Sequence, residues 1–221
     1  MCITERMTEA CYETAKSIFP IKDKITESAK TVEKETGMNL NSVKDYIRNF
    51  FSMINGEKVE FAMSKADAHY YFEHIYNDFG IEKLINAIFS FQRYLNCDNQ
   101  NHPGLQELVN SFMNEYVFQN LKIGKIATFV LLPILNSNCL TEEEINSLQD
   151  KRYCNETFNL YIPVLKIYEN KNAYRYYSAQ KHLIFYGKSK FLVTNDWYED
   201  EKRHNMKPLC DWILKYMHKL C

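Results

Sequence analysis

The stretch Glu35–Phe61, ETGMNLNSVKDYIRNFFSMINGEKVEF, sets a glycine, two asparagines and a serine between two amphipathic runs, and repeats such punctuation at Asn55-Gly56. Within it, Val43, Tyr46, Ile47, Phe50 and Ile54 fall at i, i+3, i+4, i+7 and i+11, the spacing of one helix face. Asn41 or Ser42 is expected to accept a bond from the free N–H groups of the first turn, and Asp45 suits the positive end of the helix dipole. Upstream, Ile18, Ile21, Ile25, Ala29 and Val32 mark an earlier helix that stops at Thr36-Gly37, where glycine can take the left-handed backbone that closes a helix. The stretch therefore predicts two helices meeting at a tight corner.

The same pattern continues outward. Ser64 is expected to start a helix whose buried side carries Ala68, Tyr71, Phe72, Ile75 and Phe79, and Gly80 to break it. Ile81, Leu84, Ile85, Ile88 and Leu95 mark the next helix, followed by the polar loop CDNQNHPG. Leu105, Leu108, Val109, Phe112, Met113 and Tyr116 give another stripe, and residues 122–135 a further helix ending near Pro133. In NSNCLTEEEINSL, Thr141 followed three residues later by Glu144 is a capping box and marks a boundary. Beyond it YIPVLKIYE, YRYYS, KHLIFYG and KFLVTNDWY are rich in Tyr, Val, Ile and Phe, as strands are, with YGKSKF as a hairpin turn. PLCDWILKYMHKL returns to helix. The expected fold is mainly α with a small α+β C-terminal part: a helical domain over 1–138, then a domain over 139–221 with a short antiparallel sheet of basic, tyrosine-rich strands and a terminal helix.

Composition fits a folded chain. Of 221 residues, 46% are hydrophobic and 14% aromatic, well above what disordered segments carry. The net charge of −1 hides an uneven distribution: from Asp150 to Lys190 there are eight bases against three acids, a balance that favours a phosphate backbone. Seven scattered cysteines without a C-x-x-C pair argue against a disulfide framework or zinc ribbon and for a reducing, cytoplasmic setting. The start MCITERMTEAC lacks the apolar core of a signal peptide, and IATFVLLPIL is too short to span a bilayer, so no membrane association is expected. Oligomeric state leaves no signal in the pattern.

Residues 30–95, through TGMNLNSVKDYIRNFFSMINGEK and AHYYFEHIYNDFGIEKLINAI, resemble a helical segment found beside HNH-type endonuclease domains in bacterial restriction-like proteins. The shared features are the Gly-Asn-Ser corner, the Asp-Tyr-Ile after it, and the tyrosine-pair helix that leads to a glycine. The resemblance implies a DNA-recognition or positioning segment next to a nuclease. An HNH unit needs closely spaced histidines and asparagine, whereas His69, His74, His102, His182, His204 and His218 are dispersed, so no catalytic residue carries over.

Three candidate sites follow. In the basic segment 150–190, Lys151, Arg152, Lys171, Arg175, Lys181, Lys188 and Lys190 interleave with tyrosines including Tyr176, a pattern suited to neutralising phosphates and stacking on bases; the competing reading is a half-buried sheet with solvated lysines. At the corner, a helix-turn-helix geometry would present Lys44 and Arg48 to DNA, with Asn39 and Ser42 more simply caps. Ranked last, Asp150 with Glu169 and Lys171 has the order of a PD-(D/E)xK nuclease, which would need Mg²⁺; no other cofactor is expected. Asp67, Tyr70 and His74 share a helix face read as solvated, WYEDEKRH (197–204) reads as an exposed loop, and Cys154 is not read as a nucleophile, although Lys151 and Arg152 stand near it. Together these features predict a DNA-binding protein of bacterial restriction, defence or mobile-element type. The alternative is a non-enzymatic protein-interaction module, such as an inhibitor or adaptor.

Overall fold

A computed structural model describes residues 3–98, 102–169 and 174–220. It is mainly α, with a small three-stranded antiparallel sheet and a terminal helix, as the sequence pattern predicts. Among the described residues no helix is long and apolar enough to cross a membrane. The chain forms two compact units, Met1–Tyr116 and Val117–Cys221.

The first unit contains α1 (Glu5–Ile18), α2 (Ile25–Thr36), α3 (Leu40–Asn55), α4 (Lys65–Phe79), α5 (Ile81–Cys97) and α6 (Pro103–Phe112), and ends within the π-helix Met113–Phe118 that follows. The corner is as expected: Gly37 closes α2 at φ +71°, a backbone that only glycine adopts without strain, and its N–H donates to the Glu33 carbonyl at 2.8 Å. The cap of α3 is Asn39, read as a cap at the corner: its side chain accepts the N–H of Asn41, and because the chain enters the helix at Leu40, Asn41 and Ser42 lie inside the first turn. Helix α3 packs against α1, α2 and α5 and buries the predicted stripe together with Asn49, Phe51 and Met53. Tyr12 meets Phe50 and Tyr71 edge to face, each at 5.3 Å between centroids, the preferred geometry for aromatic pairs.

Two expectations change here. The stripe Ile18–Val32 is not one helix: Pro20 cannot continue α1, and Ile21 lies outside both helices with 47% of its surface exposed. Asp67 does not lie on a solvated face. It is 7% exposed and accepts hydroxyl hydrogen bonds from Thr8 (2.5 Å), Tyr46 (2.7 Å) and Ser64 (2.6 Å), which ties α1, α3 and the start of α4 together.

The second unit opens with a helical run made of α7 (Ile123–Ile126), a π-helical turn (Ala127–Leu131) and α8 (Leu132–Leu135). Pro133 offers no N–H to the turn before it, and that turn is the one wound as π-helix. The short α9 (Glu142–Ser147) starts at the predicted capping box of Thr141 and Glu144. Next come α10 (Lys151–Phe158), strands β1 (Leu165–Ile167), β2 (Ile184–Tyr186) and β3 (Ser189–Val193), and finally α11 (Met206–Met217). Helix α11 packs on α10 and α8 and stacks Trp212 on Tyr216 at 4.0 Å. The compact units divide at 116/117, so residues 117–138, grouped with the helical part in the sequence reading, lie in the second unit with the sheet. The capping box is a helix start inside that unit. Trp197, read as part of an exposed loop, is 5% exposed and donates its indole N–H to the Thr194 carbonyl at 2.9 Å.

Candidate nucleic-acid interface

The sheet has the order β1-β3-β2, all antiparallel. A two-residue turn, Gly187-Lys188, joins β2 to β3; Gly187 has φ +56°, as tight hairpins of this length require. Cross-strand partners share a face, so the register Leu165↔Val193, Ile167↔Phe191 and Ile184↔Phe191 assigns one face of the sheet. Leu165, Val193, Phe191 and Ile184 there are buried, whereas Ile167, at the end of β1, is 54% exposed. The register Lys166↔Leu192 and Phe185↔Lys190 assigns the other.

The exposed positions of that second face are basic and aromatic, beside Leu192, which is buried. Phe185 is 49% exposed, and the Lys190 ammonium lies 5.6 Å from its ring centroid. The Tyr168 N–H donates to the Lys190 carbonyl at 2.9 Å, which carries the pairing one step further and sets Tyr168 on the same side as Lys166. Past the end of β3, Thr194 bridges Tyr176, and the Lys166 ammonium stands 5.9 Å from the Tyr176 ring. Tyr176 is half-buried and donates its hydroxyl to the Pro163 carbonyl at 3.0 Å; burial pushes its pKa up to about 12, so the phenol stays protonated. None of these positions is acidic.

The other sequence-predicted residues distribute as follows. Lys188 is exposed in the hairpin turn. YRYYS is not a strand: Tyr174 and Arg175 form a turn, with Arg175 in left-handed backbone at φ +71° and its guanidinium 3.6 Å from the buried carboxylate of Asp196. Lys151 and Arg152 lie on α10 rather than on the sheet, and Arg152 pairs with Glu156 one helical turn on, at 2.8 Å. Lys181 faces a separate groove beside the helical run. Lys44 and Arg48 belong to the first unit. Arg48 is 3.5 Å from Asp45 and lies over the Phe61 ring at 5.9 Å, on a helix with eight of its sixteen residues buried, which leaves only a narrow exposed stripe.

The nuclease set comes out differently from its sequence order. Asp150 is the N-cap of α10 and accepts the Tyr153 N–H at 2.7 Å, so a backbone donor already occupies its carboxylate. Glu169 is exposed, and Lys171 lies outside the described residues. Among the described residues no three His, Cys, Asp or Glu side chains gather as metal ligands. Cys154 is on the buried side of α10, and burial drives its pKa up to about 11 against the bond it accepts from the Val164 N–H; a thiol held protonated is not a nucleophile at neutral pH.

Sequence reasoning passed over Lys166 and Phe185. Their signal is the period of two: Lys166 and Lys190 each adjoin one core-facing residue, Leu165 and Phe191, and so take the opposite face of the sheet. Compared with protein-family models, with curated proteins and with solved structures, the chain finds no match.

Proposed function

We propose that the chain binds DNA through the outer face of the sheet in its second unit. The observation that carries this reading is the alternation of Lys166 and Lys190 with Phe185, Tyr168 and Tyr176 on one face free of acids. Lysines there neutralise phosphates and release counterions, while an exposed ring offers a stacking platform to an unpaired base. Lys188, in the adjoining turn, extends the positive edge. The restriction, defence or mobile-element setting rests on the resemblance of residues 30–95, with Lys44 and Arg48 as the contacts of that segment. No cleavage chemistry is assigned, since Asp150 acts as a helix cap.

Fluorescence anisotropy with labelled single-stranded and duplex oligonucleotides across a salt series tests the proposal. Binding is expected to weaken linearly in log salt, with a slope of about −0.7 per phosphate engaged on single strands and about −0.9 on duplex. Binding of neither form at low salt would overturn the DNA reading and turn attention to a protein partner.

A further inference from the structure

The second unit contains a groove of about 840 Å³ that the DNA reading does not use. Its volume lies within the range of small-molecule sites. One wall is a single face of the helical run, with Lys125, Thr128, Phe129, Leu132, Pro133 and Asn136 recurring at helical spacing. The opposite wall is Tyr177, Lys181 and His182.

Hydrogen bonds brace both ends. The Tyr177 hydroxyl donates to the Gly124 carbonyl at 3.4 Å. At the other end the Asn136 side chain donates to the Leu183 carbonyl at 3.4 Å and accepts the Phe185 N–H at 3.2 Å. The gap is thus held open by the fold rather than left between loose loops. Part of its wall is the π-helical turn Ala127–Leu131, and such turns are frequent at functional sites because they displace side chains from regular helical register.

The lining is chemically one-sided. Phe129, Leu132 and Pro133 provide apolar surface, while Lys122, Lys125 and Lys181 supply three exposed ammonium groups. No carboxylate lines the groove, and none of the three lysines pairs with one among the described residues. The Lys125 ammonium lies 4.7 Å from the Phe129 ring centroid, so charge and apolar surface adjoin. Partial burial, helped by the charge of Lys181, holds the His182 pKa below its ordinary value, which keeps its ring neutral at pH 7.

We propose that this groove binds a small organic anion: its apolar body rests on Phe129, Leu132 and Pro133, and its carboxylate or phosphate sits among Lys122, Lys125 and Lys181. Desolvated apolar contact supplies affinity and the lysines choose the sign of charge. The inference stands apart from the DNA reading, because the groove and the sheet face use different side chains.

Calorimetric titration of the full chain with octanoate and with phenyl phosphate tests it, with octanol and octyltrimethylammonium as neutral and cationic comparators. At least one anion is expected to bind one to one, more tightly than either comparator, and less tightly as salt rises. Octanoate alone binding identifies a carboxylate ligand, and phenyl phosphate alone identifies a phosphate. The exposed double variant Lys125→Ser/Lys181→Ser should lose about tenfold or more in anion affinity, the scale of lost charge-assisted bonds, with an unchanged melting curve. Thr128→Trp, which fills the groove while keeping its charges, should abolish binding. Anions that bind no better than octanol, or that bind the double variant as well as wild type, would overturn the inference.

Discussion

Asp67→Ala is expected to lower the free energy of unfolding by about 3–5 kcal/mol, from the loss of several buried bonds to one acceptor. The carboxyl group sits where three helical elements meet. One oxygen accepts from Thr8 on α1; the other accepts from Tyr46 on α3 and from Ser64, the N-cap of α4. Thr8 and Tyr46 are 1% and 4% exposed, so water does not replace the lost acceptor. Each stranded buried hydroxyl costs about 1–3 kcal/mol. Tyr46→Phe removes one donor and leaves two, and its loss should be nearer 1 kcal/mol. Asp67→Asn keeps one acceptor oxygen and should fall between the two. Urea unfolding followed by far-UV circular dichroism measures all three. A loss under about 1 kcal/mol for Asp67→Ala, on the scale of a surface substitution, would contradict the structural role.

The second large effect concerns the sheet face. Lys166→Ala/Lys190→Ala should reduce the slope of log affinity against log salt by about 1.4 on single strands, two phosphates at about 0.7 each. Phe185→Ala should leave that slope nearly unchanged and cost about 1–3 kcal/mol on single strands, the scale of one stacked base. These side chains stand on the outer face, so melting curves should hardly move. Equal effects of Phe185→Ala on duplex and single strands would argue against stacking, because a paired base offers no open ring face to the protein. The two variants thus separate charge from stacking.

The outline of the fold was legible because its signals are local. The spacing of Val43, Tyr46, Ile47, Phe50 and Ile54 needs only one helix, the Thr141–Glu144 box only one turn, and YGKSKF only one hairpin. Asp67 was illegible for the opposite reason. Its partners Thr8 and Tyr46 lie 59 and 21 positions away, and an acid on an amphipathic pattern reads as solvent-facing until those partners are known. Helix α10 was hidden because it is only eight residues long and opens the basic window 150–190, although Asp150 three residues before Tyr153 is an N-cap signal. YRYYS has strand composition but places Arg175 in a turn, where its contact with Asp196 is tertiary.

The candidate interface was legible in part. Counting charge over 150–190 found the right region and the right residue types, and it included Lys190 and Tyr176. It could not separate lysines on one sheet face from those on α10 or in the groove, because a window sum carries no direction. Strand parity does, and it adds Lys166 and Phe185 while moving Lys151, Arg152 and Lys181 elsewhere.

The most direct test is to map the bound surface. Amide NMR spectra of the full chain, titrated at low salt with a short single-stranded DNA, should show the largest shifts at Lys166, Tyr168, Phe185 and Lys190. Smaller shifts should appear at Lys188, in the adjoining turn. Shifts confined to the first unit, or spread evenly over exposed lysines of both units, would contradict the assignment of this sheet face as the DNA-binding surface.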